Sequence, residues 1–159
     1  MRKRWKENLE GWEGLEYVKL LGVPMCKSRR GPEVDLKPLV LERAVARALV
    51  QSRNPLKGNE VRFLRKTIGL SLDKFARKLG LTSGAIFHWE KAANERLIPV
   101  NEVAVRVLCA EELAVEMPAI LSRLIGTGPE ILTLEFTSQR KLYKRRAKAS
   151  PNSDFHIST

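Results

Sequence analysis

Apolar residues recur at helical spacing in two successive runs between Gly58 and Leu79, and the runs meet at a glycine. Val61, Phe63, Leu64 and Ile68 share one face of a first predicted helix, and Gly69 supplies its C-terminal stop. Ser71 starts a second, shorter helix whose Leu72, Phe75, Ala76 and Leu79 recur at helical spacing, with Ala76 small where two helices approach closely. Gly80 ends it, Leu81 can plug the core, and Thr82 can cap a third helix that runs from Ser83 to about Lys91. Ile86 and Trp89 face inward on this helix, leaving Ser83, Gly84, Phe87 and His88 pointing out. The pattern is that of a helix-turn-helix. A short helix that shows its N-terminal residues suits the major groove of DNA, which is about as wide as one helix.

The pattern is weaker on either side. Residues 1–13 mix Arg2, Lys3, Arg4 and Lys6 with Trp5 and Trp12, which reads as a frayed terminus or a basic arm. Tyr17–Leu21 reads as a short strand, Gly22–Gly31 as a loop and Pro32–Leu36 as a second strand. A helix follows from about Leu36 to Ser52, with Asp35 at its start, Pro38 in its first turn and an apolar stripe of Leu41, Ala44, Val45, Ala48 and Leu49. Ser52-Arg53-Asn54-Pro55 is a breaker and marks a domain boundary.

Beyond the third helix, Lys91–Glu95 is a loop and Pro99 opens a helix from about Val100 to Ala110, on which Val103, Val107 and Leu108 cover the motif. A further helix is expected from about Glu111 to Ile125, interrupted or begun by Pro118, with Ile120, Leu121, Leu124 and Ile125 on its apolar face. Ile131–Phe136 alternates as a short strand. Gln139–Ala149 is a basic helix along phosphates or part of a soluble tail, and Ser150–Thr159 reads as disordered. The expected organisation is a small α+β domain at 1–54, a helix-turn-helix domain at 55–126 and a strand with a basic tail at 127–159. The fold class expected from these elements is mainly α.

Composition adds a partner class. Among 159 residues, 29 are Lys or Arg against 18 acids, and the formal charge of +11 favours polyanions, since basic side chains release condensed counterions on binding. The surplus lies more in the flanks than in the motif, so the flanks are candidates for phosphate contacts that carry no sequence information. An aromatic content of 6% points toward helices rather than sheet. The start MRKRWKEN is not followed by an apolar run, and no stretch of about 18 apolar residues exists to span a bilayer, so a cytoplasmic protein is expected.

The residues Leu64-Arg65, Gly69-Leu70-Ser71, Phe75-Ala76, Leu79-Gly80-Leu81, Ile86 and Trp89-Glu90-Lys91 resemble the helix-turn-helix of the Xre/lambda-Cro type. The resemblance implies a lambda-repressor-like domain that binds double-stranded DNA, with Arg65 and Glu90 as a buried ion pair joining its first and third helices. It also implies base-facing roles for Ser83, Gly84 and His88. Lys74, Lys78 and Lys91 are then the expected backbone contacts. Two positions depart from the family: Leu72 stands where a glutamine near a phosphate is usual, and Phe87 where a small polar residue is usual. Phe87 either touches the DNA, at a thymine methyl or a groove edge, or packs on a neighbouring part of the chain. Families of this type often pair two copies through the later helices and read a palindrome, so a homodimer is expected; the same apolar stripes serve equally as intrachain core.

Roughly residues 14–109, in the order GLEYVKLLGVP, cysteine loop, ARALVQS and GNEVRFLRKTIGLS, look like the MqsA type of antitoxin and the related YgiT-type regulators. That resemblance implies an antitoxin that neutralises a cognate toxin and represses its own operon. Those proteins hold a structural zinc with paired Cys-x-x-Cys ligands. Here the loop reads Cys26-Lys27-Ser28-Arg29, with Arg29 at the second thiolate position, so no zinc and no other cofactor are expected. Cys109, the other cysteine, sits in an apolar helical run as a buried thiol, and the pair makes no disulfide framework. His88 and His156 lack a nucleophile or paired carboxylate nearby, no glycine-rich phosphate loop occurs, and Glu111-Glu112 suit a helix dipole. An enzyme is not expected.

Overall fold

The computed structural model describes residues 2–118, 124–136 and 144–146. Strand β1 (Arg4–Trp12) runs antiparallel beside the long β2 (Leu15–Ser28), and β3 (Gly31–Val34) folds back on the end of β2. The terminus expected to fray is thus an edge strand, and most of the expected loop Gly22–Gly31 is regular sheet. A bulge accommodates the glycine. Between the pairs Glu7–Val23 and Leu9–Leu20 the register slips, Gly22 takes a φ of 66°, and its amide donates to the side-chain oxygen of Asn8 at 2.9 Å. Pro24 has no amide to pair, but its carbonyl accepts from Asp35 N at 2.7 Å.

Helix α1 (Pro38–Gln51) has proline in its first turn, where the missing amide costs nothing, and buries the expected stripe from Leu41 to Leu49. Asp35 does not cap it. The carboxylate instead meets Arg4 at 2.9 Å, and Lys37 stands at the cap position without a side-chain bond. Helices α2 (Gly58–Thr67), α3 (Leu72–Lys78), α4 (Ser83–Lys91) and α5 (Pro99–Glu112) follow.

The chain then returns to the sheet. β4 (Leu132–Glu135) lies parallel to β2, pairing Val18 with Leu132 and Leu21 with Glu135, and β5 (Lys144–Arg146) lies antiparallel to β4. The sheet order is β1-β2-β4-β5, with β3 also on β2. With five helices and a mixed sheet among the described residues, the molecule is a small α+β fold, and the mainly α class expected from the sequence is overturned. The sheet hid because its strands carry bulges and charged residues instead of a clean alternation. Within Gln139–Ala149, the described residues Lys144–Arg146 form strand rather than basic helix. The rest of that segment, Ser150–Thr159 and residues 119–123 of the expected helix Glu111–Ile125 lie outside the described residues.

One contiguous apolar cluster joins β2, α1 and β4 to the helix-turn-helix; it includes Val18, Leu20, Leu49, Leu64, Phe75, Ile86 and Leu134. On α5, Leu108 is buried as expected, but Val107 is 48% exposed and the neighbouring Arg106 is buried in its place. The segment read as a boundary is fastened at both sides. Asn54 and Glu130 exchange a pair of 2.9 Å bonds, Asn54 Nδ2 to the Glu130 carbonyl and Glu130 N to Asn54 Oδ1. After the boundary, Gly58 N and Asn59 N donate to the carbonyls of Glu95 and Ala93 at 3.2 and 3.0 Å.

Candidate nucleic-acid interface

The turn before α4 is built as its residues dictate. Gly80 adopts a φ of 69°, which a side chain would strain, and Leu81 N donates to the Ala76 carbonyl at 2.9 Å, ending α3. Ser71 and Thr82 cap their helices, each hydroxyl accepting at 3.2 Å, from Lys74 N and Ala85 N respectively. Ile86 anchors α4 in the core with no exposed surface, and Trp89 packs partly buried beside it.

Arg65 and Glu90 fix α4 against α2. Arg65 Nε and Nη2 donate to the two carboxylate oxygens of Glu90 at 2.5 and 3.0 Å, while Nη1 donates to the Leu70 carbonyl at 2.9 Å. The side chains are only 11% and 9% exposed, and the two-pronged geometry sets the angle between the helices as well as their distance. A second constraint is steric. Gly58, at the start of α2, sits so close to the end of α4 that an added Cβ would lie 1.9 Å from the Trp89 carbonyl oxygen.

With α4 held this way, Ser83, Gly84, Phe87, His88 and Lys91 all lie exposed. Phe87 is 55% exposed, a large aromatic surface presented to solvent rather than packed on the chain's own neighbouring elements. Lys74 on α3 is exposed as well. Lys78 is exposed but engaged: Glu112 at the end of α5 meets its ammonium at 3.0 Å, and that hydrogen bond and charge hold its pKa above the ordinary value. Arg77 pairs in the same way with Asp73, one turn earlier on α3. Leu72 lies partly buried against the apolar cluster, so its side chain serves packing rather than a polar contact.

A buried polar knot centred on α5 has no counterpart in the apolar pattern of the sequence. Arg106, on α5, donates to the carbonyls of Leu49, Val50 and Ser52 at 3.2, 2.9 and 3.1 Å and also to that of Asn54, satisfying the open C-terminal end of α1. Glu102 balances its charge and also accepts from Gly126 N at 2.7 Å and Arg96 at 3.3 Å. Nearby, Tyr17 donates to Glu60 Oε1 at 3.1 Å, and burial, reinforced by the Glu60 charge, raises the phenol's pKa. The other Glu60 oxygen accepts from Lys57 N at 3.1 Å at the start of α2. No periodicity announces a buried arginine; the spacing Glu102 to Arg106, one turn apart, was the available signal.

Cys26 lies in β2 and Cys109 in α5, both buried and unbonded. Among the described residues no three His, Cys, Asp or Glu side chains gather as a metal site would require, and no helix is long and apolar enough to cross a membrane. No family model, curated protein or solved structure matches the chain.

Proposed function

We propose that this protein is a sequence-specific DNA-binding transcriptional regulator that places α4 in the major groove. The observation that carries this reading is the exposure of Ser83, Gly84, Phe87, His88 and Lys91 on a capped helix anchored from behind by Ile86 and by the Arg65–Glu90 pair. The groove admits a helix whose outward side chains meet base edges, while amides at its N-terminus and the lysines Lys74 and Lys91 meet phosphates. The formal charge of +11 adds the salt-dependent attraction that such binding needs.

A homodimer fits the surface of α5. Val107 is 48% exposed, Val100 69% and the preceding Ile98 60%, and Val100 and Val107 are two turns apart on one side of the helix. A second copy covering that stripe would set two recognition helices on a palindrome. The resemblance to antitoxins adds a cognate toxin as partner of the N-terminal unit, with this protein acting in the cytoplasm and repressing its own operon. The alternatives are a stand-alone repressor, or an interaction protein whose main role is toxin neutralisation. A ribonuclease-like toxin encoded beside the gene and co-purifying with this chain separates the antitoxin readings from the repressor; operator binding separates the two antitoxin readings.

The deciding experiment is selection of binding sites from randomised duplexes. The parent enriches a motif, and His88→Ala relaxes the preference at one base pair, by about 1–3 kcal/mol for a direct contact. Enrichment of the same motif with the same stringency by the variant rejects the assignment of α4.

A further inference from the structure

The β1–β2 hairpin has two ends with different surroundings. Its turn lies against α2, where Asn59 Nδ2 donates to the Gly14 carbonyl at 3.2 Å. Its other end is carried off by the 14 residues of β2, which at about 3.3 Å per residue span on the order of 40 Å. There the strands bring together two basic runs from separate parts of the sequence. Lys27 N donates to the Lys3 carbonyl at 3.2 Å and Arg4 stands opposite Cys26, so Arg2-Lys3-Arg4 lies alongside Lys27 and Ser28, about 5 Å away across the sheet.

The tight turn into β3 adds Arg29 and Arg30 at its apex. The Ser28 hydroxyl bonds the Gly31 carbonyl at 3.1 Å and accepts from Arg30 N at 3.0 Å, and Gly31 takes a φ of 116°, so the tip is held by its own side chain. Arg2, Lys3, Lys27, Arg29 and Arg30 are all exposed, and among the described residues none of them is in an ion pair; Arg4 alone is matched, by Asp35. Cations gathered this closely repel one another in the free protein, and a polyanion relieves the repulsion.

We propose that this end of the sheet is a second phosphate-binding surface, which grips the backbone of duplex DNA outside the base pairs that α4 reads. The choice of duplex follows from what the patch lacks. No large apolar side chain is exposed among Arg2–Lys6 or Lys27–Val34, and the one indole there, Trp5, packs partly buried on the apolar cluster with its N–H on Glu7 at 3.2 Å, so the patch offers neither the apolar centre of a protein interface nor a free aromatic platform for unpaired bases. The inference deepens the DNA-binding reading, but its residues are separate from those of α4.

The test measures affinity for a mixed-sequence duplex of about 40 base pairs across a range of salt concentrations, where each lost phosphate contact lowers the slope of log affinity against log salt by about 0.9. The triple variant Lys27→Ala, Arg29→Ala, Arg30→Ala is expected to lower the slope by about 2–3 and to keep the parent's base preference. A slope equal to the parent's overturns the proposal. Arg62→Ala with Lys66→Ala removes two exposed charges from α2 and is expected to leave the slope unchanged; a fall of about 1.8, the same per charge as in the triple variant, shows net charge alone and overturns it too. A single-stranded RNA that binds the parent more tightly than the duplex, and loses that advantage in the triple variant, overturns the choice of duplex. His88→Ala keeps the parent's slope and changes only base preference. If preference survives that change while the triple variant loses slope, the assignment of α4 fails and the sheet surface stands.

Discussion

Arg106 Nη2 donates to Glu102 Oε1 at 3.0 Å, one turn back on α5, with both side chains sealed from solvent. The pair joins three parts of the chain, because the guanidinium closes the end of α1 and the carboxylate holds Gly126. Arg106→Met leaves the buried Glu102 with only Arg96 and the Gly126 amide as partners, and leaves several helix-end carbonyls unpaired. The expected loss is about 3–5 kcal/mol, read as a lower urea midpoint at unchanged m-value. A midpoint within about 1 kcal/mol of the parent's would show that the carboxylate and carbonyls find other partners.

Two glycines should respond in opposite ways to one methyl group. At Gly58 the new Cβ meets the carbonyl oxygens of Trp89 at 1.9 Å and Ala92 at 2.7 Å, both backbone, so α2 and α4 must part. Gly58→Ala is expected to cost at least the about 1–3 kcal/mol typical of overpacking. At Gly84 the nearest atom is Thr82 Oγ1 at 3.8 Å, and alanine there gains up to about 1 kcal/mol of helix propensity. Thermal melts of the two variants should move in opposite directions.

Alkaline stability carries the signature of Cys109. Burial, with a smaller contribution from Glu112, pushes its thiol up to about 12, well above an unfolded cysteine. Between the ordinary thiol value and about 12 the unfolded chain holds fewer protons than the native one, so stability falls as pH rises through that window and is fully present below it. Cys109→Ala removes a slope contribution of up to about 1.4 kcal/mol per pH unit. Urea midpoints of parent and variant compared from pH 8 upward check it; parallel curves would mean the native thiol ionises like a free one.

Val107→Glu tests the pairing of two copies. The side chain is 48% exposed, so the fold absorbs the change, while a charge placed in an apolar seam opposes association. Sedimentation should show the parent as a dimer at concentrations where the variant is a monomer. A monomeric parent, or an unaffected dimer, removes α5 from the interface.

What the sequence disclosed follows from how local each cause is. Gly80, Thr82 and Ile86 act on neighbours a few residues away, so the turn and the limits of α4 could be read from spacing alone. Gly22 and Pro24 misled because the same residues that break a chain locally are tolerated at a bulge, and the bulge is set by a partner strand the sequence does not name. Asp35 looked like a helix cap but found Arg4 on β1. Arg106 was the least legible, since its acceptors belong to a helix distant along the chain. The outward set of α4 came from periodicity; the meeting of Lys3 with Lys27 required the register of a hairpin.

The parallel seating of Leu132–Glu135 on Val18–Leu21 has a bearing on biosynthesis. A polypeptide emerging from the ribosome completes α2 to α4 from near neighbours, while an inner margin of the first hairpin waits, unsealed, for a ribbon made far later. Until that ribbon arrives the margin can recruit a stranger's strand, so premature termination ahead of Leu132 yields a nascent product prone to aggregation even where α4 is already formed.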